Sequence, residues 1–134
     1  MFLGEYHTKF TGQGRIILPR KLREELSENK AILTRGFEGC VWGFSLEGWE
    51  KETKQQLEVS ITEEKARSLR RYIFSASESV DLDAQGRFVI PKVLLDYGKL
   101  KDEVVIIGAG DHFEIWNQHL WKEQIKTIEE GYNG

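Results

Sequence analysis

Two short stretches, Gln13-Gly14-Arg15-Ile16-Ile17-Leu18-Pro19 and Gln85-Gly86-Arg87-Phe88-Val89-Ile90-Pro91, share four of seven residues and are apolar at the other three, 72 positions apart. The same offset runs on without a gap: Leu22 meets Leu94, Leu33 meets Val105, Gly36 meets Gly108, Phe44 meets Trp116 and Trp49 meets Trp121. One register kept over that length reads as a tandem duplication. The copies are placed at residues 5–56 and 77–134, joined by a helical linker at 57–76.

Each copy has the same grammar. In the first, Tyr6, Thr8 and Phe10 alternate with His7, Lys9 and Thr11, the period of a strand. Gly12-Gln13-Gly14 is a turn, and Arg15 to Leu18 a short β-rich run. Pro19 suits the start of a helix, where its missing N–H costs nothing, and Leu22 and Leu26 share one face of it. Residues 31–34 and 40–44 read as strands around the turn Gly36-Phe37-Glu38-Gly39. Residues 46–57 read as a helix with Leu46, Trp49, Thr53 and Leu57 on one side. The second copy repeats this: a strand through Val80 and Leu82, a turn at 84–86, the run 87–90, and a short helix from Pro91 to a C-cap at Gly98. Strands at 104–107 and 113–116 follow, then a last helix over 117–130. Between the copies, 60–76 is helical in pattern, with Ser60 and Glu63 spaced as a capping box and Ala66, Leu69 and Ile73 as an apolar stripe.

A copy of this size built of short strands is poorly equipped to stand alone. The fold expected is therefore mainly β with short helices (α+β). The two repeats close one pseudo-twofold β-barrel, with helices outside.

Composition narrows the function. The chain has 134 residues, 40% hydrophobic and 31% charged, which is the profile of a globular domain. No apolar run approaches the ~20 residues of a membrane span. The single cysteine, Cys40, excludes an internal disulfide framework and a multi-cysteine zinc site; with no signal-like start, it points to a reducing cytoplasm. The formal net charge is −3, but it is unevenly spread. Lys9, Arg15, Arg20, Lys21 and Arg23 stand against Glu5 alone at the start, and Lys65, Arg67, Arg70 and Arg71 cluster in the middle. An acidic protein can still present a basic face.

A strand ending in Asp, then two residues, Gly-Arg, an apolar run and Pro, twice in one chain, resembles the MraZ family, whose members carry two swapped-hairpin domains of the AbrB/SpoVT type. The Trp-bearing hairpins (Arg35 to Trp42, Phe113 to Trp116) and the basic helix Ala66 to Ser75 also fit. The resemblance implies a regulator that binds double-stranded DNA upstream of the division and cell-wall gene cluster. It implies a nucleoid-associated, ring-shaped homo-oligomer, which would meet spaced direct repeats in one sense. It implies neither membrane nor cofactor. It ties the motif arginines, Arg15 and Arg87, to DNA. Asp83 matches the family pattern, whereas Thr11 stands where the family usually has Asp.

Physically, Arg15 and Arg87 follow Gly14 and Gly86 at tight turns. An arginine fork matches phosphate oxygens or the guanine edge; Lys9, Arg20, Lys21 and Arg23 could track phosphates, which positions a protein without reading sequence. The residues leave open whether Arg87 only braces its own turn through Asp83. Trp42, Trp49, Trp116 and Trp121 read as core or subunit-interface packing rather than base stacking. His7, His112 and His119 share no metal-ligand spacing, and no nucleophile–base pattern suggests an enzyme. A ring-forming protein-interaction module without DNA contact is the other reading.

Overall fold

The computed structural model describes residues 1–133 and is mainly β with short helices. In chain order the elements are β1 (Glu5–Lys9), β2 (Arg15–Ile17), α1 (Arg20–Arg23), β3 (Lys30–Arg35), β4 (Val41–Phe44), α2 (Leu46–Glu58) and α3 (Glu64–Phe74). The second half has β5 (Glu78–Asp81), β6 (Arg87–Val89), α4 (Lys92–Gly98), β7 (Glu103–Gly108), β8 (Phe113–Asn117) and α5 (Gln118–Asn133).

Six strands form one antiparallel sheet in the order β1-β7-β8-β4-β3-β5, and β2 pairs with β6 as a separate ribbon. Replacing each strand by its counterpart in the other copy reverses that order and leaves every pairing intact. The sheet is thus pseudo-twofold, and the copies are exchanged: β1 of the first half lies on β7 of the second, β5 of the second on β3 of the first. The axis passes between Ile16 and Phe88 in the ribbon and between Trp42 and Glu114 in the sheet.

The ribbon lies across the inner face of the sheet. Ile16, Leu18, Phe88 and Ile90 meet Leu33, Val41, Val104, Ile106, Phe113 and Ile115 there, with Leu22 of α1 and Leu94 of α4. Burying a side chain of this size contributes ~1.5–3 kcal/mol, so this shared core holds the halves together. Gly43 makes room for it: a β-carbon there would come within 2.1 Å of the Phe113 ring. The outer face carries Cys40, Val105 and Trp116 with Trp42, Leu120 and Trp121. There α2 and α3 pack on β3, and α5 packs on β7 and β8.

Several expectations are corrected. The ungapped register fails at the third strand of each copy. Ala31 and Leu33 face the same core as Val104 and Ile106, whereas Val105 points to the other face, so Leu33 corresponds to Ile106 and not Val105. Gly36, whose N–H bonds to the Cys40 carbonyl, corresponds to Ala109, whose N–H bonds to that of His112. The second copy has one extra residue before β7 and one fewer in the following turn. The linker helix begins at Glu64, not residue 60: the Ser60 hydroxyl accepts from the Thr62 N–H, and Glu63 is an N-cap without a side-chain cap bond. Gly98 is the last helical residue of α4, and the left-handed cap is Lys99 (φ 52°). Of the α2 stripe, Thr53 is buried but Leu57 is exposed; α2 ends at Glu58, and α5 runs to Asn133.

Candidate nucleic-acid interface

Alternation along β2 and β6 sends Ile16 and Phe88 into the core and leaves Arg15, Ile17, Arg87 and Val89 on the opposite face of the ribbon. Arg15 lies across from Val89, and Arg87 across from Ile17. The two motif arginines therefore stand diagonally on one face. Val89 between them is 50% exposed.

Each arginine follows a turn whose glycine takes a positive φ, 68° at Gly14 and 83° at Gly86. Each turn is tied to the other copy. The Gly14 carbonyl accepts from the Ile90 N–H (2.7 Å), and the Gly86 carbonyl accepts from the Leu18 N–H (2.9 Å).

The turns differ in what closes them. In the second, Asp83 Oδ1 accepts from the Gln85 and Arg87 N–H groups (2.9 Å each), and Oδ2 accepts from Arg87 Nε at 2.6 Å. Led by the Arg87 N–H bond, these contacts hold the Asp83 carboxyl below the usual carboxylate range. In the first, Thr11 has only a hydroxyl, which donates to the Arg15 carbonyl at 3.3 Å. Among the described residues Arg15 makes no ion pair.

The helices behind the turns differ in the same sense. A β-carbon on Gly14 would approach Leu95 Cδ1 at 3.1 Å; one on Gly86 would approach Arg23 Cδ at 2.4 Å. Arg23 and Leu95 are counterparts, so Arg23 does for the second turn what a leucine does for the first. It is half-buried, and its Nε has no hydrogen-bond partner. This places Arg23 under a turn rather than free beside Arg20.

Lys9, Arg20, Lys21 and Lys92 are exposed. Lys9 Nζ lies 3.5 Å from Glu103, and its pseudo-symmetric mate is the Lys30–Asp81 pair at 2.7 Å with the signs reversed. Arg20 Nε is 3.9 Å from Glu24. Lys21 is exposed without an ion pair among the described residues. Lys92, at the head of α4, holds Asp96 at 3.1 Å as Arg20 holds Glu24. Sequence reading passed over Lys92, although the 72-residue offset from Arg20 points to it. The middle basic cluster is partly structural. Arg70 Nη2 donates to the Val59 and Leu57 carbonyls (2.7 and 3.1 Å), and Arg67 Nη1 to those of Ile61 and Thr62 (2.9 and 3.0 Å).

The tryptophans lie on the other side of the sheet. Trp116 is buried against Trp121 (5.5 Å between rings), Trp42 meets Phe37 edge-on (5.1 Å), and Trp49 packs on Phe44 (5.4 Å). Only Trp49 and Trp121 are counterparts; Trp42 faces Glu114 across the axis. His112 bridges Asp111 and Glu114 (2.7 and 2.8 Å). Burial pulls its pKa down, but the hydrogen bonds to Glu114 and Asp111 outweigh this and the net shift is upward. Burial pushes the Cys40 thiol up, away from thiolate chemistry. Among the described residues no cluster of metal-ligating side chains occurs, and no helix is long and apolar enough to cross a membrane.

The whole chain has relatives. It is 38% identical over 129 residues to the transcriptional regulator MraZ of Roseiflexus castenholzii, covering 96% of this chain and 90% of that protein. It is 37% identical over 133 residues to that of Lactobacillus helveticus (99% and 92%). It is 38% identical over 132 residues to that of Halothermothrix orenii (98% and 92%). The family model described as "MraZ protein, putative antitoxin-like" matches it twice, over residues 1–72 and 73–133, in step with the duplication that the sheet displays. With both halves matched and relatives this similar along nearly its full length, the chain belongs to the MraZ family.

Proposed function

We propose that this protein is a sequence-specific DNA-binding regulator of transcription that acts on the division and cell-wall gene cluster, engaging spaced direct repeats as a ring-shaped homo-oligomer in the cytoplasm, at the nucleoid. The observation that carries this reading is the outward face of the β2–β6 ribbon, where Arg15 and Arg87 stand beside two apolar side chains. A two-stranded ribbon fits the major groove, and an arginine fork fits the O6/N7 edge of guanine. The relatives' name, transcriptional regulator, supports it. Arg15 is the reading side chain. Lys9, Arg20 and Lys21 are phosphate contacts that set the register, with Lys92 added on the second side. Asp83, Gly14 and Gly86 shape the turns, and Thr11 leaves Arg15 uncommitted.

The test is a gel-shift titration at two salt concentrations, with the fragment upstream of this protein's own operon, the same fragment with scrambled repeats, and random DNA. Selective retardation that weakens steeply with salt is the expected result. No retardation by assembled protein would replace this reading with an interaction module that makes no DNA contact.

A further inference from the structure

The two turns of the ribbon share a backbone frame and differ in one acceptor. Each closes on itself in the same way: the Thr11 N–H donates to the Arg15 carbonyl at 2.8 Å, and the Asp83 N–H to the Arg87 carbonyl at 3.0 Å. The N–H groups of Gln13 and Arg15 therefore correspond to those of Gln85 and Arg87. In the second turn the Asp83 carboxylate takes both, and Arg87 Nε as well. In the first, the Gln13 N–H makes no hydrogen bond among the described residues, and the Arg15 N–H reaches the Gly12 carbonyl at 3.3 Å.

The side chain at that corner is a hydroxyl, one of the few groups that a cell converts reversibly into an anion. A phosphothreonine carries a charge of about −1.5 to −2 near neutral pH and three strong acceptor oxygens. Those oxygens lie one bond further from Cβ than the oxygens of an aspartate. Esterification also removes the proton that Oγ1 gives to the Arg15 carbonyl, which frees the side chain to turn toward the two N–H groups. The turn stands clear of the body: Thr11, Gly12, Gln13 and Arg15 are exposed, and a β-carbon on Gly12 would meet nothing within 4 Å. The carboxylates at the adjoining end of β7 are Asp102, whose carbonyl takes the Phe10 N–H at 3.0 Å, and Glu103, which Lys9 faces at 3.5 Å. Lys9 thus opposes a carboxylate already, and Arg15 is the cation at this turn without one among the described residues.

We propose that Thr11 is a phosphorylation site for a serine/threonine protein kinase, and that its phosphate switches DNA binding off. Thr11 Oγ1 attacks the γ-phosphorus of a nucleoside triphosphate and gives its proton to the kinase's base. The new O–P bond forms as the bond to the β-phosphate oxygen breaks, and the nucleoside diphosphate leaves. The phosphate then accepts from the Gln13 and Arg15 N–H groups and from the Arg15 guanidinium, as Asp83 does in the second turn. Arg15 loses its freedom to swing toward a partner, and an anion stands on the face that meets DNA phosphates. A phosphatase reverses the change. This inference rests on the reading of Arg15 as a DNA contact and adds the regulation of that site.

The first experiment takes full-length protein from its own cells, purified with phosphatase inhibitors present. Trypsin releases Phe10–Arg15, in which Thr11 is the only hydroxyl side chain, so a phosphoryl group on that peptide identifies the residue. The expected result is a phosphorylated peptide from at least one of exponential, stationary and starved cultures, and none from Thr11→Val protein. An unmodified peptide from all three cultures would overturn the site. The second experiment encodes phosphothreonine at position 11 of the full chain and compares that protein before and after phosphatase. The phosphorylated form should melt higher and bind the native fragment at least about tenfold more weakly, and phosphatase should undo both. Equal binding before and after would overturn the switch. A rise in melting temperature that persists in an Arg15→Ala background would overturn the brace. If neither form retards DNA, the reading of Arg15 fails, while the peptide mass and the melting shift still decide the modification.

Discussion

At one turn of the ribbon a carboxylate receives three hydrogen bonds, one of them from the side chain of the arginine that follows. At the other a hydroxyl gives one long bond to a carbonyl, and the arginine is left to solvent. Arg87 is thus held by its own turn, and Arg15 is available to a partner. Behind them the asymmetry continues, with Arg23 under Gly86 and Leu95 under Gly14. Duplication supplied two equivalent motifs, and side-chain chemistry made one rigid and the other free. A guanidinium held by a carboxylate at Nε alone keeps donors on its Nη groups for a partner but loses the freedom to swing them, so the two arginines differ in how far they can reach rather than in whether they can bind.

The most severe test of this contrast compares Arg15→Ala with Arg87→Ala. Arg15→Ala is expected to weaken binding to the native fragment at least tenfold, equivalent to ~1.4 kcal/mol, with little change in melting temperature. Arg87→Ala is expected to lower the melting temperature more and the affinity less. The reverse order in both gel shift and calorimetry would break the assignment.

A second test makes the turns alike. Thr11→Asp places a carboxylate where Asp83 has one, so it should brace Arg15, raise the melting temperature slightly and reduce DNA affinity a few-fold. An affinity gain would mean that a braced arginine is the better reader.

The pH dependence comes next. The folded pKa of Asp83 is depressed, so its contribution to stability is present above the unfolded value, ~3.9, and is lost as pH falls through the folded one. Wild type should therefore exceed Asp83→Asn in melting temperature at neutral pH, and the gap should shrink towards zero as the solution is acidified below pH ~4. A gap independent of pH would show that the charge is not what closes the turn.

The smallest effect is expected at Arg23. Arg23→Leu copies the arrangement around Leu95 and removes a buried N–H without a partner. It should be neutral or stabilising by up to ~1 kcal/mol, with DNA affinity changed less than about threefold. A larger drop in affinity would restore Arg23 as a phosphate contact.

Much of this was legible in the residues. The duplication followed from identity at a fixed offset, and the strands from alternation as in Tyr6, Thr8 and Phe10. The burial of Leu22 followed from the short helix that Pro19 starts, but Leu26, read onto the same face, lies past the end of that helix at Arg23 and is only half-buried. The slip at β7 was not legible. Val104-Val105-Ile106-Ile107 is apolar throughout, so either register sets apolar against apolar, and an extra residue before the strand is cancelled by a shorter turn after it. Nor could Arg23 be told from Arg20 and Lys21, since all three are basic and adjacent.

Apart from the repeat, which identity at a fixed offset reveals, what the sequence by itself determined is local: element types, the turn chemistry of Gly14 and Gly86, and the departure at Thr11. These depend on residues a few positions apart, which a period or a motif records. That the two halves interleave was expected from the repeat; the tertiary structure decided which strands cross, β1 onto β7 and β5 onto β3, and the common face of Arg15 and Arg87. It alone decided the reciprocal Lys9–Glu103 and Lys30–Asp81 pairs, and which arginine is free. Those outcomes arise from hydrogen bonding and packing between segments tens of residues apart, where alternation and spacing carry no information about the partner.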